Sequence, residues 1–443
     1  MSLPRYPEYR DSGIDWISDV PAHWEVKPIG ALATLNDETL PESTDSEYEI
    51  EYVDISSVSL SAGIGSTEAM LFGSAPSRAR RRVRDGDVLV STVRTYLKAI
   101  APVVAPARNL IASTGFAVVR PKPGQCSGFM KYGLQSEAFV HQVIARSTGV
   151  SYPAINPSDL ARIPLWSPPL PEQQAIAAFL DHETAKIDAL IAEQEKLLAL
   201  LAEKRQATIS HAVTRGLDPN AQMEDSGIPW LGEVPAHWST PPLRLRYASE
   251  LGKMLDTAKI SGEHPVPYLR NTDVQWGRVN FEGLPEMDIP EAEYARYTVR
   301  EGDLMVCEGG EVGRAAVLGE VPSVLGFQKA LHRLRACSSD ENPRFMYYTF
   351  CWAAKHGVFD GSGQATIAHL TGEQLRAYRF VKPPIDEQNA VVEFLDTEVT
   401  RLDSLKAEAE YGIELLRERR STLISAAVTG QIDVRGLVEQ EVA

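Results

Sequence analysis

The sequence predicts a mixed α/β protein made as a pseudo-two-fold internal repeat, with two globular α/β domains joined by two long antiparallel helices. Three observations carry that expectation: blocks that recur at a nearly constant offset, short β-type runs broken by Gly and Pro, and a heptad seam late in each half.

The repeat is explicit. Asp11-Ser12-Gly13-Ile14-Asp15-Trp16 returns as Asp225-Ser226-Gly227-Ile228-Pro229-Trp230, and Val20-Pro21-Ala22-His23-Trp24 as Val234-Pro235-Ala236-His237-Trp238. Arg84-Asp85-Gly86-Asp87 matches Arg300-Glu301-Gly302-Asp303. Pro168-Pro169-Leu170-Pro171-Glu172-Gln173 matches Pro383-Pro384-Ile385-Asp386-Glu387-Gln388, and Ala212-Val213-Thr214 matches Ala427-Val428-Thr429. The offsets stay between 214 and 216 residues while the stretches between anchors diverge. The frame repeats and the stretches it carries differ. Expected domain limits are 1–167 and 216–382 for the globular parts, 168–215 for the first long helix, and 383–443 for the second with a C-terminal tail.

Within each half the first element is an extended segment, 11–26 in the first copy, whose Trp rings pack as anchors. A region with runs such as Val88-Leu89-Val90 and Phe116-Ala117-Val118-Val119 follows and reads as the mixed α/β domain. The Pro168-Pro169 and Pro383-Pro384 pairs then mark where extended chain enters a helix. Apolar residues spaced by threes and fours follow. They place Leu180, Ile187, Leu190, Leu198 and Leu201 on one seam and Leu395, Leu402, Leu405, Ile413 and Leu416 on the other. A helix of about 40 residues is about 60 Å long and cannot bury such a stripe alone, so the two helices are expected to pair antiparallel, with the globular domains at opposite ends.

Composition narrows the function classes. The chain has 443 residues, 44% hydrophobic and 23% charged, ordinary for a globular protein. No apolar run approaches the ~18 residues of a membrane span, and the start has no apolar signal core. Four cysteines without a C-x-x-C pair suggest a reduced, cytoplasmic setting. The net charge of −16 argues at first against nucleic acid, but local field matters more than total. Residues 27–69 hold one basic residue against nine acids, whereas residues 70–165 hold thirteen Lys/Arg against four Asp/Glu.

Catalytic signatures are missing. There is no H-E-x-x-H, no G-x-x-x-x-G-K-[ST] and no G-x-S-x-G, and the nine histidines show no ligand spacing. Asn156-Pro157-Ser158-Asp159 reads as a turn, and Glu308-Gly309-Gly310-Glu311-Val312-Gly313 as a flexible turn between strands. His23 and His237 read as packing or hydrogen-bonding groups. A self-sufficient nuclease or methyltransferase is disfavoured by the lack of a cofactor loop or acidic metal cluster, and no metal or catalytic residue is assigned.

DNA-binding candidates are present. Arg78, Arg80, Arg81, Arg82 and Arg84 form a cationic run suited to phosphates, with little acidic charge nearby in sequence. Ser91, Thr92, Arg94, Thr95, Tyr96 and Lys98 mix groups suited to base edges and backbone, Arg for guanine among them. Lys98 corresponds to Arg314 in the second half. The polar glycine loop with Thr148, Ser151 and Tyr152 resembles the one with Ser362, Gln364 and Thr366, while Asn271, Gln275, Gln328 and Lys329 are comparable candidates.

The repeated leading motif, the Pro-Pro-Leu-Pro-Glu-Gln-Gln to Phe179-Leu180-Asp181 block and Ile187-Asp188-Ala189-Leu190-Ile191 together resemble the specificity subunit of Type I restriction-modification systems. The resemblance covers essentially the whole chain. It implies two target recognition domains, each reading one half of a split site in double-stranded DNA, separated by an antiparallel coiled coil that fixes the unread spacer. It further implies a non-catalytic scaffold for two modification subunits, which bind S-adenosylmethionine and methylate adenine, optionally joined by two ATP- and Mg-dependent restriction subunits. No cofactor is expected on this chain itself.

Overall fold

The computed structural model describes residues 4–17, 19–60, 62–255, 262–360 and 369–437. The chain forms two compact units, residues 1–195 with 411–443, and residues 196–410.

The first unit is organised by Val88-Leu89-Val90, apolar at three successive positions. Side chains alternate faces along a strand, so such a run needs cover on both sides. The strands of three or more residues in this unit are β1 (Glu25–Pro28), β2 (Ala33–Leu35), β3 (Glu49–Val53), β4 (Glu68–Leu71), β5 (Ala79–Arg82), β6 (Val88–Ser91), β7 (Ile100–Pro102), β8 (Leu110–Ser113), β9 (Phe116–Pro121) and β10 (Pro164–Ser167). The central sheet has the order β7-β6-β9-β2 and is antiparallel throughout, with Leu89 opposite Val118. A second sheet has the order β4-β3-β8-β5, with β3 and β8 parallel. β1 pairs with β10.

Val88 and Val90 face a core shared with helices α1 (Ser127–Gln135) and α2 (Glu137–Ala145) and with Ile176 and Leu180 of the long helix α3 (Leu170–Arg215). Leu89 points the other way, into a cluster with Phe116, Val118, Val53 and Leu110 between the two sheets.

The second unit repeats the scheme despite its divergent sequence. The strands of its two larger sheets are β11 (Tyr247–Leu251), β12 (Pro265–Leu269), β13 (Glu286–Asp288), β14 (Leu304–Cys307), β15 (Ala315–Val317), β16 (Gly326–Phe327) and β17 (Leu331–Ala336). The central sheet is β11-β17-β14-β15 and the second is β13-β12-β16, with β12 and β16 parallel. Leu304 and Val306 face helix α4 (Pro343–Lys355), while Met305 and Cys307 face the cluster behind. The second sheet of the first unit has one strand more, β5, and that strand carries Arg80, Arg81 and Arg82 of the arginine run.

The second long helix, α5 (Ile385–Val428), completes both cores. Ile424, Ala427 and Val428 lie in the core of the first unit, and Val391, Leu395 and Val399 in that of the second. Likewise Ile209, Ala212 and Val213 of α3 belong to the core of the second unit. In the first unit Arg420 donates to Asp188 at 2.9 Å and Arg417 to Glu195 at 3.4 Å. The partner number falls as the α3 number rises, so these segments run antiparallel. In the second unit Arg205 of α3 donates to Asp403 of α5 at 3.1 Å. These pairs are solvent-exposed and contribute little.

The buried seam does more, with about 1.5–3 kcal/mol for each fully covered side chain. Leu180, Ile187, Leu201, Leu395, Leu402 and Ile413 are buried, and Leu198 and Leu416 half-buried. Leu190 and Leu405 do not belong to it: they are 52% and 39% exposed. Strict alternation of four and three from Leu180 runs through 184, 187, 191 and 194, so Ile191, half-buried, takes the position that sequence spacing gave to Leu190.

Both long helices end on glycine. Gly216 and Gly430 have φ of +75° and +74°, the left-handed turn that terminates a helix, where a Cβ is strained. A Cβ on Gly216 would stand 3.0 Å from the Trp238 ring, and one on Gly430 would stand 2.5 Å from Pro21 Cδ. In each unit a leading segment thus closes over the end of a long helix. Tyr9 OH donates to the Gly430 carbonyl at 2.9 Å, and Asp433 N to the Pro4 carbonyl at 2.8 Å.

Candidate nucleic-acid interface

The recurring polar residues build the frame. The Glu172 carboxylate accepts from Trp24 Nε1 at 3.0 Å and lies 2.8 Å from His23 Nε2. Glu387 does the same for Trp238 Nε1 at 2.9 Å and His237 Nε2 at 2.7 Å. Gln173 Nε2 donates to the Pro168 carbonyl at 2.8 Å, and Gln388 Nε2 to that of Pro383, also at 2.8 Å. Tyr132 OH donates to Asp181 at 2.7 Å, as Tyr348 OH does to Asp396 at 2.5 Å. Asp87 is paired with Arg120, and Asp303 with Arg335. The Pro-Pro…Glu-Gln motif is therefore a clamp on the leading segment; the repeat in sequence marked these positions without revealing what they hold.

On this frame the loop between β6 and β7 meets the segment 147–155. Ile155 N donates to the Thr92 carbonyl at 2.9 Å, and Thr148 and Ala154 exchange backbone bonds at 2.8 and 2.9 Å. The second unit makes the equivalent tie between Leu370 N and the Glu308 carbonyl, at 2.8 Å. Two segments that sequence singled out separately become one surface. In the first unit it presents Arg94, Tyr96, Lys98, Thr148, Ser151 and Tyr152 to solvent, with Leu97 50% exposed and Val150 fully so. Leu97 and Val150 were missed by sequence reasoning; only their place on a strand-end loop could have marked them.

Other candidates lie inside the protein. Ser91 Oγ donates to the Val93 carbonyl at 2.6 Å and Thr92 Oγ1 to that of Gly115 at 2.9 Å. Thr95 Oγ1 and Ser147 Oγ are 2.8 Å apart. All three candidate hydroxyls, those of Ser91, Thr92 and Thr95, are buried and committed to the loop's own shape, so their expected contact with bases is corrected to a structural role.

The arginine run also differs from its sequence expectation. Arg78 donates to Asp54 at 2.7 Å and to Tyr52 OH at 3.0 Å, and Arg84 pairs with Glu38. Arg80 packs over the Phe72 ring and Arg81 is half-buried, its basicity lowered by burial. Arg82 is exposed. The acids of 27–69 fold onto the basic strand, so charge segregated along the chain is partly neutralised in space.

In the second unit the loop between β14 and β15 is glycine-turned, with Gly310 and Gly313 at positive φ. Asn271 Nδ2 donates to the Gly309 carbonyl at 3.0 Å, while Arg314 Nη2 donates to Asn271 Oδ1 at 2.8 Å. Arg314 is largely covered, so it braces the loop and differs in role from exposed Lys98. Gln275 is half-buried and donates to the Thr272 carbonyl at 2.9 Å; Gln328 is half-buried and Lys329 exposed. Exposed Glu311 accepts from Trp276 Nε1 at 2.6 Å. Ser362, Gln364 and Thr366 lie outside the described residues. Asn156 proved to cap a short helix, Pro157–Ala161, where a simple turn was expected. Among the described residues no group of three or more His, Cys, Asp or Glu could hold a metal, and no helix is long and apolar enough to cross a membrane.

This fold is similar to that of solved chains from type I restriction-modification systems. It superposes with a TM-score of 0.75 on a chain solved in a study of assembly and conformational transition of the type I system, at 22% identity over 92% of this chain and 98% of that one. The HsdS subunit of Thermoanaerobacter tengcongensis gives a TM-score of 0.56, at 21% identity over 93% and 98%. Residues 21–199 match the family described as the Type I restriction modification DNA specificity domain. It is 23% identical over 332 residues to the EcoKI specificity subunit of Escherichia coli (strain K12), spanning 73% of this chain and 69% of the relative. It is 21% identical over 339 residues to the StySPI specificity subunit of Salmonella potsdam, spanning 72% and 69%.

Proposed function

We propose that this chain is the non-catalytic sequence reader of a Type I restriction-modification complex, in which each unit reads one half of a bipartite duplex site and the helix pair sets the unread spacer. Two modification subunits dock on it and supply S-adenosylmethionine and adenine methylation. Restriction subunits with ATP and Mg complete the nuclease form. What supports the reading most is the repeated tie between a strand-end loop and the segment before the last strand, carrying unlike side chains in the two units. A rigid shared scaffold with divergent loops is how a protein reads two different words.

Methylome sequencing of a host expressing the chain with its modification subunit tests this. The expected result is methyl-adenine within one split motif whose halves differ. A single contiguous motif, or methylation without sequence preference, contradicts it.

A further inference from the structure

We infer that Arg94, stacked on Tyr152, is the group with which the first unit reads a guanine in its half of the site. This rests on the function proposed above and names one base-reading side chain within it.

The Arg94 guanidinium lies 4.9 Å from the centre of the Tyr152 ring. Among the described residues it makes no ion pair or hydrogen bond. Of the arginines around it in sequence, Arg78, Arg84 and Arg120 are each spent on a carboxylate, whereas Arg82 and Arg108 are exposed and lie over no ring among the described residues. A guanidinium held over a ring and not paired with a carboxylate keeps N–H groups free to donate twice to guanine O6 and N7 in a major groove. Both residues are largely solvent-facing, Tyr152 at 65%.

The backbone holds the pair in place. Arg94 has φ of +49°, a left-handed conformation unfavourable for a residue with a Cβ, and Lys98 at the other end of the same turn has +53°. Buried Thr95 pins the turn to Ser147, and Val93 bridges to Ala154 just beyond Tyr152. A loop that holds a side chain in a strained setting loses little freedom when that side chain docks.

The second unit has no such group at the matching place. Gly310 stands opposite Arg94 in the repeat, and Arg314, which corresponds to Lys98, is tied to Asn271. A plain phosphate contact would also use an exposed arginine, but it would weaken binding for every sequence alike.

The test uses the chain assembled with its modification subunits. Transfer of labelled methyl groups is followed on duplexes in which each base pair of the recognised site is varied in turn. The wild-type complex is expected to demand G·C at one position of the half-site that follows the first unit. Arg94→Gln should relax that position by about 10- to 100-fold and leave the others unchanged. Tyr152→Leu should relax the same position in part, with Tyr152→Phe restoring it, while unfolding midpoints stay at the wild-type value.

The inference is overturned if Arg94→Gln slows methylation equally on all sequences, if it changes no position, or if the position it changes is not G·C. A wild-type complex without any sequence preference would instead overturn the proposed function itself.

Discussion

Glu172 holds two donors at once, and the consequences of losing it differ from those at its repeat partner. Trp24 is 1% exposed and the Glu172 side chain 6%, so Glu172→Ala strands an indole N–H that water cannot reach. That should cost about 1–3 kcal/mol, measured as a shift in urea midpoint at constant slope. Glu387 is 42% exposed, and water can replace it, so Glu387→Ala should cost clearly less. Equal losses would contradict the clamp. Ser91→Ala and Thr92→Ala should each cost about 1 kcal/mol and leave the methylated sequence unchanged, because both hydroxyls bond the protein's own carbonyls. At this scale the sequence was only half legible. The repeat flagged His23, Trp24 and Glu172, but whether a hydroxyl in Ser91-Thr92-Val93 points inward depends on which residue ends a strand, and periodicity does not resolve that.

Among the elements, the long helices were the most legible, since their seam is local and their ends carry Pro and Gly. The error at Leu190 was one residue of phase. Ile187→Ala should destabilise by about 2–4 kcal/mol, whereas Leu190→Ser should stay within about 0.5 kcal/mol in the isolated chain. The tie of Leu370 to the loop between β14 and β15 runs past His332, which is fully buried with Nε2 2.8 Å from the Leu370 carbonyl. Burial lowers its pKa, with Arg376 acting in the same direction and the Leu370 carbonyl and Glu308 opposing. A native pKa below the unfolded value of about 6.5 means that the unfolded chain takes up this proton first. Stability from this group is therefore present above about pH 6.5 and declines as pH falls further. His332→Gln should show a smaller loss of thermal midpoint than wild type between about pH 7 and pH 5. A steeper loss in the variant would contradict that assignment.

The molecule as a whole was legible because it is written twice. Repetition exposed the frame, and the same central sheet order then recurs where the sequences between anchors diverge. The candidate surface was not legible to that degree. It joins residues more than fifty positions apart, and the acids that neutralise Arg78 and Arg84 come from a segment that looked separate in charge. The core of each unit also draws on the long helix of the other half, which a linear division at 167 and 382 does not express.

The central claim is that two unlike readers share one frame and act independently. Replacing residues 27–165 with the corresponding region of a relative of known target, followed by methylome sequencing of the assembled complex, tests it most directly. The account predicts a hybrid motif in which one half changes and the other half and the spacer stay as they were. A change in both halves, or in neither, would contradict it.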